Sequence, residues 1–412
     1  MAVNAALGAI NAPAATGSQA TTGLGITPDA LIFLANIMTA AGNASDAQMS
    51  IGFSTGSASQ VSAGYNSNDA SASSDVVRQV LTNRVVGTYT GGTTVANLNV
   101  DMTSHDADGF TLNYNNTING ADISYLGLSG TDILGATAGN FAAATATGDQ
   151  AVTGIGFQPN LVLFITNLQT ASGVANNNSC FGFGVTDGTN QWACGLGLQN
   201  AQATMNNRRA FYTNRCILVP QAGSNAIAHD ALITSMDADG FTVNWQTAPG
   251  AAYIVGYLAL SVTNAKVGTF NQATSTGNQA TTGVGFTPET LILGSAGHDT
   301  ANAIVDTARF SIGAGISSSA RWAYWTGDED ASADSRAESR YATDKIITMA
   351  DETTGGSPTV LAEADLVSLD SDGFTVNWTT ADATARNIGY IALGGASAPP
   401  ATSSKLTLLG VG

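Results

Sequence analysis

The chain has 412 residues, of which 44% are apolar and only 10% charged, with a formal net charge of −17. That length suits two or three domains, and so much apolar content with so little charge is not the composition of a disordered chain. The acidic excess argues against nucleic acid as a partner, because phosphate neutralisation needs clustered Lys and Arg, and the single basic cluster is Arg208-Arg209 with Arg215.

In chain order, the first residues (Met1 to Leu7) carry neither a basic region nor an apolar core, so no secretory signal is expected. No apolar run is long enough to span a bilayer as a helix, so no membrane partner is expected and the product should be made and kept in a cytoplasm. The next segment, Thr16-Gly17-Ser18-Gln19-Ala20-Thr21-Thr22-Gly23-Leu24-Gly25-Ile26-Thr27-Pro28, leads into the apolar run Leu31-Ile32-Phe33-Leu34. A glycine-centred strand follows at Ile51-Gly52-Phe53. The stretch from Ser74 to Leu81 fits a short helix or a strand equally. Then comes Asp106-Ala107-Asp108-Gly109-Phe110-Thr111-Leu112-Asn113-Tyr114, where Phe110, Leu112 and Tyr114 alternate with polar residues, as in a half-buried strand entered through an Asp-Gly turn. A closing apolar strand, Tyr125-Leu126-Gly127-Leu128, ends the unit.

All of these blocks return twice. The opening block recurs at Thr147–Pro159 and Thr276–Pro288, the glycine-centred strand at Phe183-Gly184-Val185 and Ile312-Gly313-Ala314, and the turn at Asp237-Ala238-Asp239-Gly240 and Asp370-Ser371-Asp372-Gly373. A period of whole-domain size predicts an all-β chain of three tandem homologous antiparallel β-sandwich domains, jelly-roll or lectin-like, arranged as beads on a string. The expected boundaries are 1–135, 136–265 and 266–396, with a C-terminal arm at 397–412. In that arm Leu406, Leu408 and Leu409 read as a strand that pairs either with a neighbour's sheet edge or with its own third domain.

Few residues invite chemistry. The acidic pairs Asp106/Asp108, Asp237/Asp239 and Asp370/Asp372 suggest calcium, but a strand follows at once where an EF-hand loop would carry further ligands. Turns are the reading preferred, with no metal or cofactor expected. His105, His229 and His298 occupy unrelated positions, no pair has metal-ligand spacing and no nucleophile motif occurs, so no enzyme activity is expected. Trp322, Tyr324 and Trp325, followed by Asp328-Glu329-Asp330, form the richest aromatic–acidic patch; it reads as core residues of an alternating strand, with glycan contact as the alternative. Exposed aromatics at loop tips, such as Tyr65 or Trp325, would suit the same alternative. Cys180 and Cys194 flank a hairpin and allow a bridge, although reduced core thiols are the simpler reading.

The segment Gly156-Phe157-Gln158-Pro159-Asn160-Leu161-Val162 with Asp237-Ala238-Asp239-Gly240-Phe241-Thr242-Val243, and its counterparts in the other copies, resembles a domain of tailed-bacteriophage virion proteins, notably tail-fibre and other surface proteins. The resemblance implies a non-enzymatic virion structural protein. Three copies filling the chain suit a capsid decoration or cement protein, in which one chain sits as a pseudo-threefold unit. Its partners would be copies of itself and other virion proteins, with host-surface glycan as a further candidate. A receptor- or glycan-binding tail-fibre protein is the alternative, and a cell-surface adhesin or surface-layer subunit the second.

Overall fold

The computed structural model describes residues 3–90, 95–353 and 357–394. It is all-β, and its strands form six antiparallel sheets, one of seven strands and one of four in each third of the chain. The arm residues Leu406, Leu408 and Leu409 lie outside the described residues.

The first third shows the pattern. Its strands are β1 (Asn4–Asn11), β2 (Gly17–Thr22), β3 (Ala30–Ala35), β4 (Gly42–Ser45), β5 (Ala47–Gly56), β6 (Ser59–Ser67), β7 (Val76–Leu81), β8 (Val86–Tyr89), β9 (Ala96–Asp106), β10 (Gly109–Asn116) and β11 (Asp122–Ser129). The segment that read equally as helix or strand is thus β7. The small sheet runs β2-β10-β9-β8 and the large one β1-β11-β3-β5-β6-β7, completed by a two-residue strand from the second repeat. Phe110, Leu112 and Tyr114 point from the small sheet onto Leu31, Phe33 and Ile123 of the large one. The repeat follows at 133–262 and 265–393 with the same orders.

The glycine of the Ile51-Gly52-Phe53 block has a steric cause. A Cβ on Gly52 would overlap the carbonyl oxygen of Val85, and Gly184 and Gly313 stand in the same relation to Cys216 and Ile346. Here the chain leaving the large sheet crosses directly over it, and only a bare backbone leaves room.

The three sandwiches are not separate beads. Every residue of β3 is buried, because its two faces serve different cores. Leu31 and Phe33 meet the small sheet, whereas Ile32 and Leu34 meet a central core shared by all three repeats. Met49, Ile51 and Phe53 join Phe181, Phe183, Trp192, Phe310, Ile312 and Trp322 there. Phe181 sits 5.5 Å from Tyr65 of the first repeat and 5.5 Å from Phe310 of the third. A bead would have turned one face of that apolar run to water; here the three large sheets cover one another instead.

Short strands lock the arrangement in a ring. Asn176–Asn177 of the second repeat pairs with β7 of the first, Ala303–Asp306 of the third with Asn207–Tyr212 of the second, and β4 of the first with Ala337–Ala342 of the third. The residue after each donated strand, Asp46, Asn178 or Thr307, has a left-handed backbone. Each accepts a backbone N–H from a later loop of its own repeat: Asp69 to Asp46 (2.7 Å), Asn200 to Asn178 (2.7 Å) and Asp330 to Thr307 (3.3 Å). Those three loop residues in turn accept N–H groups of the neighbouring repeat, from Ala337, Val76 and Asn207 respectively.

Candidate functional site

The Asp-x-Asp-Gly corners bend and latch backbone. Asp106 accepts hydrogen bonds from Ser104 Oγ and Thr111 Oγ1, both at 2.7 Å, which hold its carboxyl below the usual range. Asp108 accepts from the N–H groups of Gly23 (3.0 Å) and Gly25 (2.6 Å), so it ties the glycine-rich loop to the hairpin. Asp237 and Asp239 repeat this with Ser235, Thr242, Gly154 and Gly156, and Asp370 and Asp372 with Ser368, Thr375, Gly283 and Gly285. Gly109 has φ 148°, and a Cβ there would strike the carbonyl of Thr21. This explains why two distant sequence blocks recur together: one is the other's latch. Among the described residues no group of three His, Cys, Asp or Glu could hold a metal ion.

Burial bears out the core reading of the aromatic patch and removes the alternative of glycan contact at Trp322, Tyr324 and Trp325. Trp322 is 3% exposed, Tyr324 0% and Trp325 1%, so none is available to a glycan in the folded chain. Trp322 and Tyr324 belong to the central core, where the Trp322 indole donates to the carbonyl of Tyr125 (3.3 Å) and Tyr324 stacks on Tyr341 at 4.3 Å. Tyr65, the other aromatic expected at a loop tip, is buried in the same core, with its hydroxyl on Thr326. The strand alternates as expected, but both of its faces are covered.

Cys180, Cys194 and Cys216 are buried free thiols, and burial raises the pKa of each. His229 is enclosed between Trp245 and Tyr253, and burial pushes its imidazole down to about 3. Among the described residues, one arrangement has catalytic outlines, that of Ser54 with His105. The imidazole Nδ1–H donates to the carbonyl of Pro28 (2.7 Å), which leaves Nε2 facing Ser54 Oγ at 3.3 Å. Ser54 is 0% exposed and also engages Gly56 through its backbone, so substrate has no path to that hydroxyl.

Several buried polar atoms among the described residues have no hydrogen-bond partner, and two of the places that hold them bear on function. The first is the seam between the first and third repeats, which are not consecutive in the chain. There Asp328, wholly buried, accepts a hydrogen bond from Ser67 Oγ (2.5 Å) and has no ion-pair partner among the described residues. Its Oδ1 has no hydrogen-bond partner, and burial pushes its pKa up to about 8. The second is a cavity of about 460 Å³ in the second repeat, reached by Arg78 of the first and lined by Cys180, Gln221, Thr247 and Tyr253. Neither was visible in the sequence, since each joins residues of different repeats and carries no local motif.

No family model matches this chain, and comparison with curated proteins finds no significant relative.

Proposed function

We propose that this chain is a non-enzymatic structural component of a virus particle, acting as a capsid decoration or cement protein or another particle-surface protein. The observation that carries this reading is the ring: three homologous sandwiches share one core and exchange strands cyclically, giving a rigid pseudo-threefold block from a single polypeptide. Such a block suits a lattice position where three similar surfaces meet. Its turn-and-strand motifs resemble those of tailed-phage surface proteins, and its low charge and acidic balance suit a high-copy coat component that avoids nucleic acid. On this reading the partners are other copies of the chain and other virion proteins, and the protein moves from the host cytoplasm onto the virion.

The test is immuno-electron microscopy. Antibody raised against the purified chain is applied to particles banded by density from lysates of the source. Regular labelling of the particle surface, with the chain present at many copies per particle by gel densitometry, is the expected result. Banded particles that lack the chain would overturn the proposal.

A further inference from the structure

The three repeats can be compared at one location, where the strand after the left-handed residue passes the end of the small sheet. In the first repeat Gln48 fills it and donates to the carbonyl of Tyr89 (2.6 Å). In the third, Arg309 fills it and is bonded to Glu352 (3.0 and 2.7 Å) and to Asp351. In the second, the position of Arg309 is taken by Cys180, and those of Asp351 and Glu352 by Gln221 and Ala222. This register follows from the left-handed residues Asn178 and Thr307 and from the carbonyls of Cys216 and Ile346 over their glycines. A long cation and two carboxylates are thus exchanged for uncharged side chains, of which Cys180 and Ala222 are short. What remains is the cavity of about 460 Å³, whose lining includes all three replacements.

The neighbouring repeat supplies a guanidinium at both places. Arg209 reaches the third repeat's site, where Glu352 offsets its charge. Arg78 reaches the second repeat's cavity, where no carboxylate lies within ion-pair distance of it among the described residues and none lines the wall. Arg78 already donates through Nη1 to the carbonyl of Asn178 and the Sγ of Cys180 and through Nη2 to the carbonyl of Leu168, which holds its plane in place; Nε–H is shut away from solvent, and the second N–H of Nη2 is unused. A fixed guanidinium with an unused donor and no counter-ion is a carboxylate receptor. Around it stand the Gln221 amide, the Thr247 hydroxyl and the Tyr253 ring, with Leu168 and Ile227 as apolar wall. The volume exceeds that of a bare carboxylate and readily admits a monosaccharide.

We propose that this cavity binds a carboxylate-bearing ligand of monosaccharide size, a sugar acid, with its carboxylate on Arg78 in the role that Glu352 plays in the third repeat. The proposal does not depend on where the chain resides, and it fails or stands apart from the virion reading.

The test is calorimetric titration of the full chain with glucuronate, with glucose and acetate as controls. One saturable site per chain is expected, with glucose and acetate each at least tenfold weaker. Ala222→Glu restores the carboxylate of the third repeat and should weaken glucuronate at least tenfold while leaving the melting temperature unchanged. Arg78→Lys, which keeps the charge but loses the fork, should weaken it several-fold and guards against misfolding of the first variant. Equal binding of glucose and glucuronate, no binding at all, or wild-type affinity in folded Ala222→Glu would overturn the proposal. Methyl glucuronide separates the sources: retained binding points to a glycan terminus, and loss of it to the free sugar acid.

Discussion

Replacing Asp328 by Asn should remove most of the pH dependence of stability in the neutral range. In the folded chain burial lifts this carboxyl from 3.8 to about 8, while in the unfolded chain it titrates normally. The folded pKa lies above the unfolded one, so the stabilisation is complete below pH about 4. It is lost as pH rises toward 8 and levels off above that. Each pH unit within the window costs about 1.4 kcal/mol, so at pH 7 the unfavourable term is about 4 kcal/mol, a large share of ordinary domain stability. Asn keeps the oxygen that accepts from Ser67 and cannot ionise. The variant should therefore match wild type within about 1 kcal/mol at pH 4 and exceed it by about 3 kcal/mol or more at pH 8. Denaturant titrations followed by tryptophan fluorescence between pH 4 and 9 measure both curves. Glu352, raised to about 6 by burial, contributes a smaller slope of the same sign; its charge also helps to raise Asp328, so the difference between the two curves includes that coupling. Parallel curves for variant and wild type would refute the buried neutral acid.

Three further outcomes are expected. Gly184→Ala forces a Cβ into the Cys216 carbonyl and should cost about 3 kcal/mol in denaturant melts, against a few tenths for an exposed Gly→Ala in the same repeat. Trp322→Ala should cost roughly 3–5 kcal/mol in the same assay, because it hollows the shared core, whereas a peripheral glycan contact would leave stability untouched. For His229 the folded pKa of about 3 lies below the unfolded value, so its contribution is present above pH 6.5 and is lost as pH falls toward 3; His229→Phe should flatten the acid limb of the stability curve, and an unchanged limb would count against the burial.

Much of one sandwich was legible in sequence. Phe110, Leu112 and Tyr114 alternate because only one face of their sheet is covered, and the Asp-Gly before them marks the turn. The union of the three sandwiches was not legible. Leu31-Ile32-Phe33-Leu34 signals a strand buried on both faces, but nothing in the run says whether the second cover is the same domain or a neighbour. The donated strand Asn176–Asn177 is too short to carry any period. The aromatic cluster around Trp325 read as core, and it is buried; the acidic residues after it suggested a nearby surface, yet Asp328 itself is buried. The cavity beside Arg78 depends on what Cys180 and Ala222 lack, and a missing side chain leaves no motif.

The cyclic strand exchange also changes what kind of object the protein is. A homotrimer held by such strands dissociates on dilution, and every subunit must carry the same surface. Here donor and acceptor are joined by peptide bonds, so closure is an intramolecular step independent of concentration. Each third is then free to drift on its own, and one of them can hold an opening that its two siblings have filled.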